Sequence, residues 1–245
     1  MTYLIPYLFS AVAAVIALTV HEYCHGYAAY KLGDPTARNL GRLSLNPIHH
    51  IDPFGAICMI LFHFGWAKPV PINARNFRKP KRDFAITALA GPLSNILLAF
   101  LFTPLFMLLF NGYVSLIGNA ENEVLTRIVY NTSLFLQYFV VINLGLGLFN
   151  LVPFPPFDGS RIVNVLLPER LYFRIMKYEK YIYWGVVAWL LLGTYVYRGL
   201  MSISFIASNP VLSEIARIFS LSSLIQDAIS FFSGLFINFW SLIIH

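Results

Sequence analysis

Two histidines four residues apart flank a glutamate in the run His21-Glu22-Tyr23-Cys24-His25. On a helix that spacing puts both imidazoles on one face, about one turn apart, where they can share a metal ion. A glutamate beside the first ligand is placed to take a proton from a water on that metal, as zinc hydrolases require. Polar residues at an ordinary helix end would look the same in isolation, so the setting has to separate the readings. Here the motif ends an uncharged apolar run from Tyr3 to Val20. Roughly 20 such residues span a bilayer core, and ionisable groups at that depth are costly and as a rule functional. Cys24 faces away from the histidine pair and reads as a small buried residue, not a ligand.

A catalytic zinc needs a third protein ligand and keeps one position open. Asp158, Asp52, His49, His50 and His63 are the candidates. Asp158 follows the turn Pro153-Phe154-Pro155-Pro156-Phe157 and precedes Gly159, at the end of an expected span and at the depth of His21 and His25. The prolines end that helix, and Gly159 permits a sharp turn that can aim a carboxylate inward. Taken alone, Asp158 reads better as the cap of the next helix. His49, His50 and Asp52 follow Asn46-Pro47 in a loop that turn chemistry explains, with gating near the site as the alternative. His63 reads as an interior histidine with a partner, and Asn150 as a brace for its helix. Asn95, four residues after Gly91, can donate to a developing oxyanion or bond between helices beside a close glycine contact.

The elements that must hold these residues are apolar helices. The chain has 245 residues, 58% hydrophobic and 11% charged, against about 25% charged in a soluble domain. Mean hydropathy is +0.68. This is an all-α polytopic membrane protein with about 4–6 transmembrane helices, a single domain over 1–245, its core at about 1–165 and C-terminal helices at about 166–245. Apolar runs predict spans at about 4–30, 84–110, 131–151 and 180–200, with 224–244 as a short span or an interfacial helix. The first run lacks a basic leader and a cleavage site, so a retained helix is expected. Cys24 and Cys58 form neither a metal-ligand spacing nor a disulfide framework.

Charge orients the spans. Residues 31–83 hold nine Lys/Arg against three Asp, an excess equal to the chain's net charge of +6. The basic run Arg75-Asn76-Phe77-Arg78-Lys79-Pro80-Lys81-Arg82 is therefore a topology signal lying on anionic lipid, and no nucleic acid is needed to explain it. The 111–130 loop is not basic, whereas 152–180 again holds five Lys/Arg. The positive-inside rule then places 31–83 and 152–180 in the cytoplasm and the N-terminus outside, in a multi-pass membrane protein. Between the first two spans, Gly55 to Trp66 is too short to cross as a helix, and Lys68-Pro69-Val70-Pro71-Ile72 excludes one. A small membrane-embedded β-hairpin or re-entrant segment near 55–72 is expected, with Lys68, Pro69, Val70 and Pro71 either as an edge on which an extended substrate can dock or as a purely structural loop over the site.

The His-Glu motif and the proline-rich Asp-Gly turn at matching depth resemble the site-2 protease family of intramembrane zinc metalloproteases. Three further stretches strengthen the resemblance: Leu45-Asn46-Pro47-Ile48-His49-His50-Ile51-Asp52-Pro53-Phe54-Gly55, Gly65-Trp66-Ala67-Lys68-Pro69-Val70-Pro71 and Gly91-Pro92-Leu93-Ser94-Asn95. They stand in the family's order over about residues 15–165. The likeness is to the short bacterial and archaeal members, without a PDZ or CBS domain, which implies a bacterial or archaeal cell membrane as its location. Phe157 stands where the family often has Leu, an apolar exchange that leaves the next residue's role intact.

The resemblance implies one zinc ion per chain held by His21, His25 and Asp158, with Glu22 as general base. It implies hydrolysis of peptide bonds within or near transmembrane segments of membrane-protein substrates, near the cytoplasmic side. Two other classes fit parts of the pattern. A catalytically silent membrane-protein-binding pseudoprotease need not keep Glu22 and a full ligand set. A metal transporter would be expected to show paired interrupted helices in two halves, and no such repeat is visible. The bilayer and a transmembrane protein substrate are the expected partners; nothing in the sequence sets an oligomeric state.

Overall fold

The computed structural model describes residues 4–55, 67–117, 123–218 and 220–244, and within them the regular structure is helical. The elements are α1 (Leu4–Lys31), α2 (Thr36–Asn39), α3 (Pro80–Ile117), α4 (Glu123–Asn150), α5 (Asp158–Leu166), α6 (Glu169–Met201), α7 (Ser204–Ser208), α8 (Pro210–Arg217) and α9 (Leu221–Ser241). Helices α1, α3 and α4 are long and apolar enough to cross a membrane, and they hold the expected spans 4–30, 84–110 and 131–151. A fourth span arises only if α8 and α9, bent at the break between them, count as one. The expected 180–200 span is the Tyr- and Trp-rich half of α6, whose other half is charged. Among the described residues the count is thus three or four, so it meets the expected 4–6 only at its lower limit.

The expected hairpin near 55–72 is not borne out. Residues 56–66 lie outside the described residues, and beside them the chain makes only an isolated antiparallel bridge, Ile51 with Ala67. Pro69 and Pro71 have no amide hydrogen to give a ladder, so residues 68–73 run on as irregular chain to a single 3-10 turn at Ala74–Asn76.

Whereas α4 also buries Leu136, Phe139, Val140 and Leu144, interior faces on α1 and α3 are small or polar. On α1 they form a row at every fourth residue, Ala13, Ala17, His21, His25 and Ala29. On α3 the row is Asp83, Thr87, Gly91, Asn95, Ala99 and Thr103. Residues four apart lie on one helix face, and small side chains let backbones approach closely where lipid supplies no drive for packing. The opposite face of α3 carries Leu89, Leu93, Leu97, Leu101 and Leu105, all exposed. Helices α1, α3 and α4 pack on one another, α5 lies against α3, and α9 lies against α3 and α4. The apolar core joins Ala99 of α3, Val140 and Leu144 of α4, and Ile229 and Phe236 of α9.

Pro104 inside α3 removes the N–H that would otherwise bond the Phe100 carbonyl one turn earlier. The indole N–H of Trp240 donates to that oxygen instead, at 2.9 Å, and so fastens α9 to α3. An ion pair at 2.7 Å between Arg161 and Glu179 links α5 to α6.

Candidate metal centre

The two histidines project from the small-residue row of α1 toward α3, where Gly91 leaves room for them. A Cβ at Gly91 would overlap the His25 ring and lie 2.8 Å from Cε1 of His21. Each ring is held through Nδ1: His21 Nδ1 lies 2.6 Å from Asn95 Oδ1, and His25 Nδ1 lies 2.7 Å from the Thr87 carbonyl. Both partners are acceptors, so each ring proton sits on Nδ1 and each Nε2 presents a lone pair in the neutral ring.

Asp158 comes from the other side of the site, as the first residue of α5. The cap of that helix is Phe157, without a side-chain cap bond, so the carboxylate is not spent on capping. A Cβ at Gly159 would overlap the Leu151 carbonyl, and the close turn this glycine allows brings Asp158 inward. Asp158 Oδ2 lies 3.1 Å from Nε2 of His21 and 3.1 Å from Nε2 of His25, and the two Nε2 atoms are 3.0 Å apart.

Three lone-pair atoms with no proton among them repel one another unless a cation lies between them. Zinc with ligands at about 2.0–2.2 Å separates tetrahedral donor atoms by about 3.4 Å, close to the spacing here. The two-imidazole, one-carboxylate set suits that ion, and these residues are the group among the described ones that can hold a metal. His49, His50 and Asp52 do not join it. His49 Nδ1 lies 2.9 Å from the Gly41 carbonyl, His50 Nε2 lies 2.7 Å from that of Ser44, and Asp52 accepts the Gly55 amide at 2.8 Å. His63 and Cys58 lie outside the described residues.

Asn95 is fully buried and fully engaged. Its Nδ2 donates to the Ala17 carbonyl at 3.0 Å and to Asn143 Oδ1 at 2.9 Å, while its oxygen serves His21. Both amide hydrogens are used, so the oxyanion-donor expectation gives way to its alternative, an interhelical bond that also orients a ligand ring. Asn150 donates to the Leu146 carbonyl at 3.0 Å and braces the end of α4, as expected.

Glu22 accepts the Val70 amide on Oε2 at 2.8 Å. The segment expected to dock substrate is heavily engaged from within. The Lys68 amide donates to the His50 carbonyl at 2.8 Å, and Arg42 Nη2 donates to the Lys68 carbonyl at 2.8 Å and more weakly to that of Pro69 at 3.4 Å. Farther along, the buried Asp34 carboxylate accepts the Thr36 and Asn73 amides, the Thr36 hydroxyl and Asn76 Nδ2. Burial pushes the Asp34 carboxyl up, but these four bonds outweigh it and hold it below the usual carboxylate range. The Thr87 carbonyl, the Val70 amide and Asp34 are contributors the sequence reading missed. Two of them are backbone groups, which leave no side-chain signature, and Asp34 looks like an ordinary turn residue after Gly33.

The family model for Peptidase family M50 matches residues 9–194, most of the chain and every motif described above. A Bacillus subtilis (strain 168) protein described as "Putative zinc metalloprotease YwhC" is 39% identical over 198 residues, covering 79% of this chain and 84% of that protein. No solved structure matches the chain. With its apolar spans, its matched length and this relative taken together, the chain belongs to Peptidase family M50, the site-2 protease family its motifs resemble, and is a membrane zinc metalloprotease.

Proposed function

We propose that this protein hydrolyses peptide bonds within or near transmembrane segments of other membrane proteins, close to the cytoplasmic face, with His21, His25 and Asp158 as zinc ligands and Glu22 as general base. The observation that carries the reading is the convergence of the three ligand atoms between α1 and α5, all within 4.8 Å of one another, on a helix apolar enough to cross a membrane. A zinc ion there supplies a Lewis acid for the scissile carbonyl and lowers the pKa of its water to about 7.

Glu22 then takes the proton as the water oxygen attacks the carbonyl carbon. It returns that proton to the amine as the C–N bond breaks, so one carboxylate serves as base and then acid. Asn95 and the Thr87 carbonyl keep both imidazoles in the tautomer that presents Nε2. Substrate contacts at Lys68–Pro71 are made through the exposed Lys68 and Pro69 side chains, since the amides of Lys68 and Val70 are already bonded. Sidedness follows from the basic 31–83 stretch, which supports a cytoplasmic placement for the motif end of α1.

The test replaces the general base. Glu22→Gln is expected to stop proteolysis while zinc content stays at one per chain, whereas His21→Ala, His25→Ala or Asp158→Ala is expected to lose zinc. Quantitative proteomics of membranes carrying Glu22→Gln should reveal uncleaved transmembrane substrates. Continued proteolysis by Glu22→Gln would remove the assigned mechanism.

A further inference from the structure

We propose that residues 68–76 form a strap whose central amide, the Val70 N–H, is a positioning group for Glu22, and that Arg42 and Asp34 clamp the strap at its two ends. The proposal rests on Glu22 being the general base, and it adds how that base is aimed.

A glutamate side chain has three rotatable bonds, and a carboxylate has two oxygens. A base that must meet one water at one place needs one oxygen tied and the other left for the reaction. Val70 ties Oε2 at 2.8 Å. Because residues 69 and 71 are prolines, Val70 carries the sole backbone N–H of that three-residue stretch, and it points at Glu22. The Val70 side chain is buried and keyed onto α1 itself: its Cγ1 lies 3.2 Å from where a Cβ would stand on Gly26, one turn beyond Glu22. Donor and acceptor are therefore referenced to the same helix.

The clamps lie on either side of that bond. Before it, the Lys68 amide is bonded to the His50 carbonyl, and Arg42 holds the Lys68 and Pro69 carbonyls. After it, Asp34, fully buried just past the end of α1, takes the Asn73 amide and the Asn76 side chain at 2.7 Å each. A strap held only at Glu22 would swing with the side chain. Held at both ends, it imposes its geometry on the side chain instead.

The bond can be read without a substrate. Pro69 and Pro71 have no amide hydrogen, so hydrogen exchange over residues 69–71 reports Val70 alone. In the full-length zinc-loaded protein in detergent, Glu22→Ala is expected to speed that exchange by about tenfold or more. An unchanged rate would overturn the proposal.

The second arm measures kcat and KM on fluorescein-labelled casein. Val70→Pro, which deletes the N–H, is expected to lower kcat about tenfold or more with KM within about twofold and zinc content unchanged. Val70→Ala keeps the N–H and should lose far less. Replacing the amide at residue 70 by an ester exchanges the N–H for an oxygen and keeps the Val70 side chain, at the cost of only the long Arg42 bond to the Pro69 carbonyl, so it decides the matter if Val70→Pro misfolds. Wild-type kcat in the ester form would overturn the strap's role while leaving the protease reading intact. Proteolysis surviving in Glu22→Gln would remove that reading and leave the exchange result standing.

Discussion

At the scale of single residues, the metal centre depends as much on what is missing from a side chain as on what is present. Gly91 faces both imidazoles, and a methyl group there would occupy the space of the His25 ring. Gly91→Ala is therefore expected to weaken zinc binding by about 10–100-fold, comparable to the loss of an outer-shell partner, while the helices remain. Competition against a chelator measures it, and wild-type affinity would mean that the rings can move aside without losing the ion. The two histidines and Glu22 were legible from spacing alone, because helix geometry converts a four-residue interval into a shared face. Asn95 was legible as a polar residue in an apolar span but not as a ring-orienting group. Which of its atoms meets which neighbour depends on α1 and α4 both lying against it.

At the scale of elements, helices that gain little from hydrophobic burial are held by small-residue contact and by hydrogen bonds placed where proline has freed a carbonyl. The bond from Trp240 to the Phe100 carbonyl is of this kind, with Phe100 also packed 5.2 Å from the Phe236 ring. Trp240→Phe keeps an aromatic surface and removes the donor. It is expected to cost about 1–2 kcal/mol, from the lost bond and a carbonyl left unpaired, seen as a lower midpoint in thermal unfolding in detergent. An unchanged midpoint would show that water or another group serves the carbonyl. The apolar run at 224–244 predicted a helix here but not its seat on α3, since hydropathy reports what a segment avoids and not which neighbour it meets.

At the scale of the whole molecule, α1 and α3 turn apolar side chains outward, as in the exposed leucine row of α3, and small and polar ones inward, while α4 and α9 supply most of the apolar core. That inversion of a soluble fold is what a lipid solvent requires, since every interior polar group must then find a partner within the protein. Basic residues gather at 31–83, next to the motif end of α1. The expected topology puts single cysteines introduced at positions 75–82 within reach of a membrane-impermeant thiol reagent only after the cytoplasmic face is opened. Labelling of intact cells would reverse the orientation. The same experiment on a Cys24→Ala, Cys58→Ala background avoids reaction at the native thiols.

The sequence by itself determined the helical class, three of the four expected spans, the histidine pair with its glutamate and the Asp-Gly turn. Each is written in a local period, in composition or in turn chemistry, and needs no knowledge of neighbours. It left Asp158 between a helix cap and the ligand role that the resemblance implies, because a carboxylate at the start of a helix caps that helix unless something more favourable lies within reach. Tertiary structure supplied that alternative by setting α5 across from α1, about 130 residues earlier in the chain. Tertiary structure also bonded the segment expected to dock substrate to Glu22 and Arg42. Those bonds run between backbone groups and distant side chains, and only the packing of α1 against the 67–76 segment brings them together.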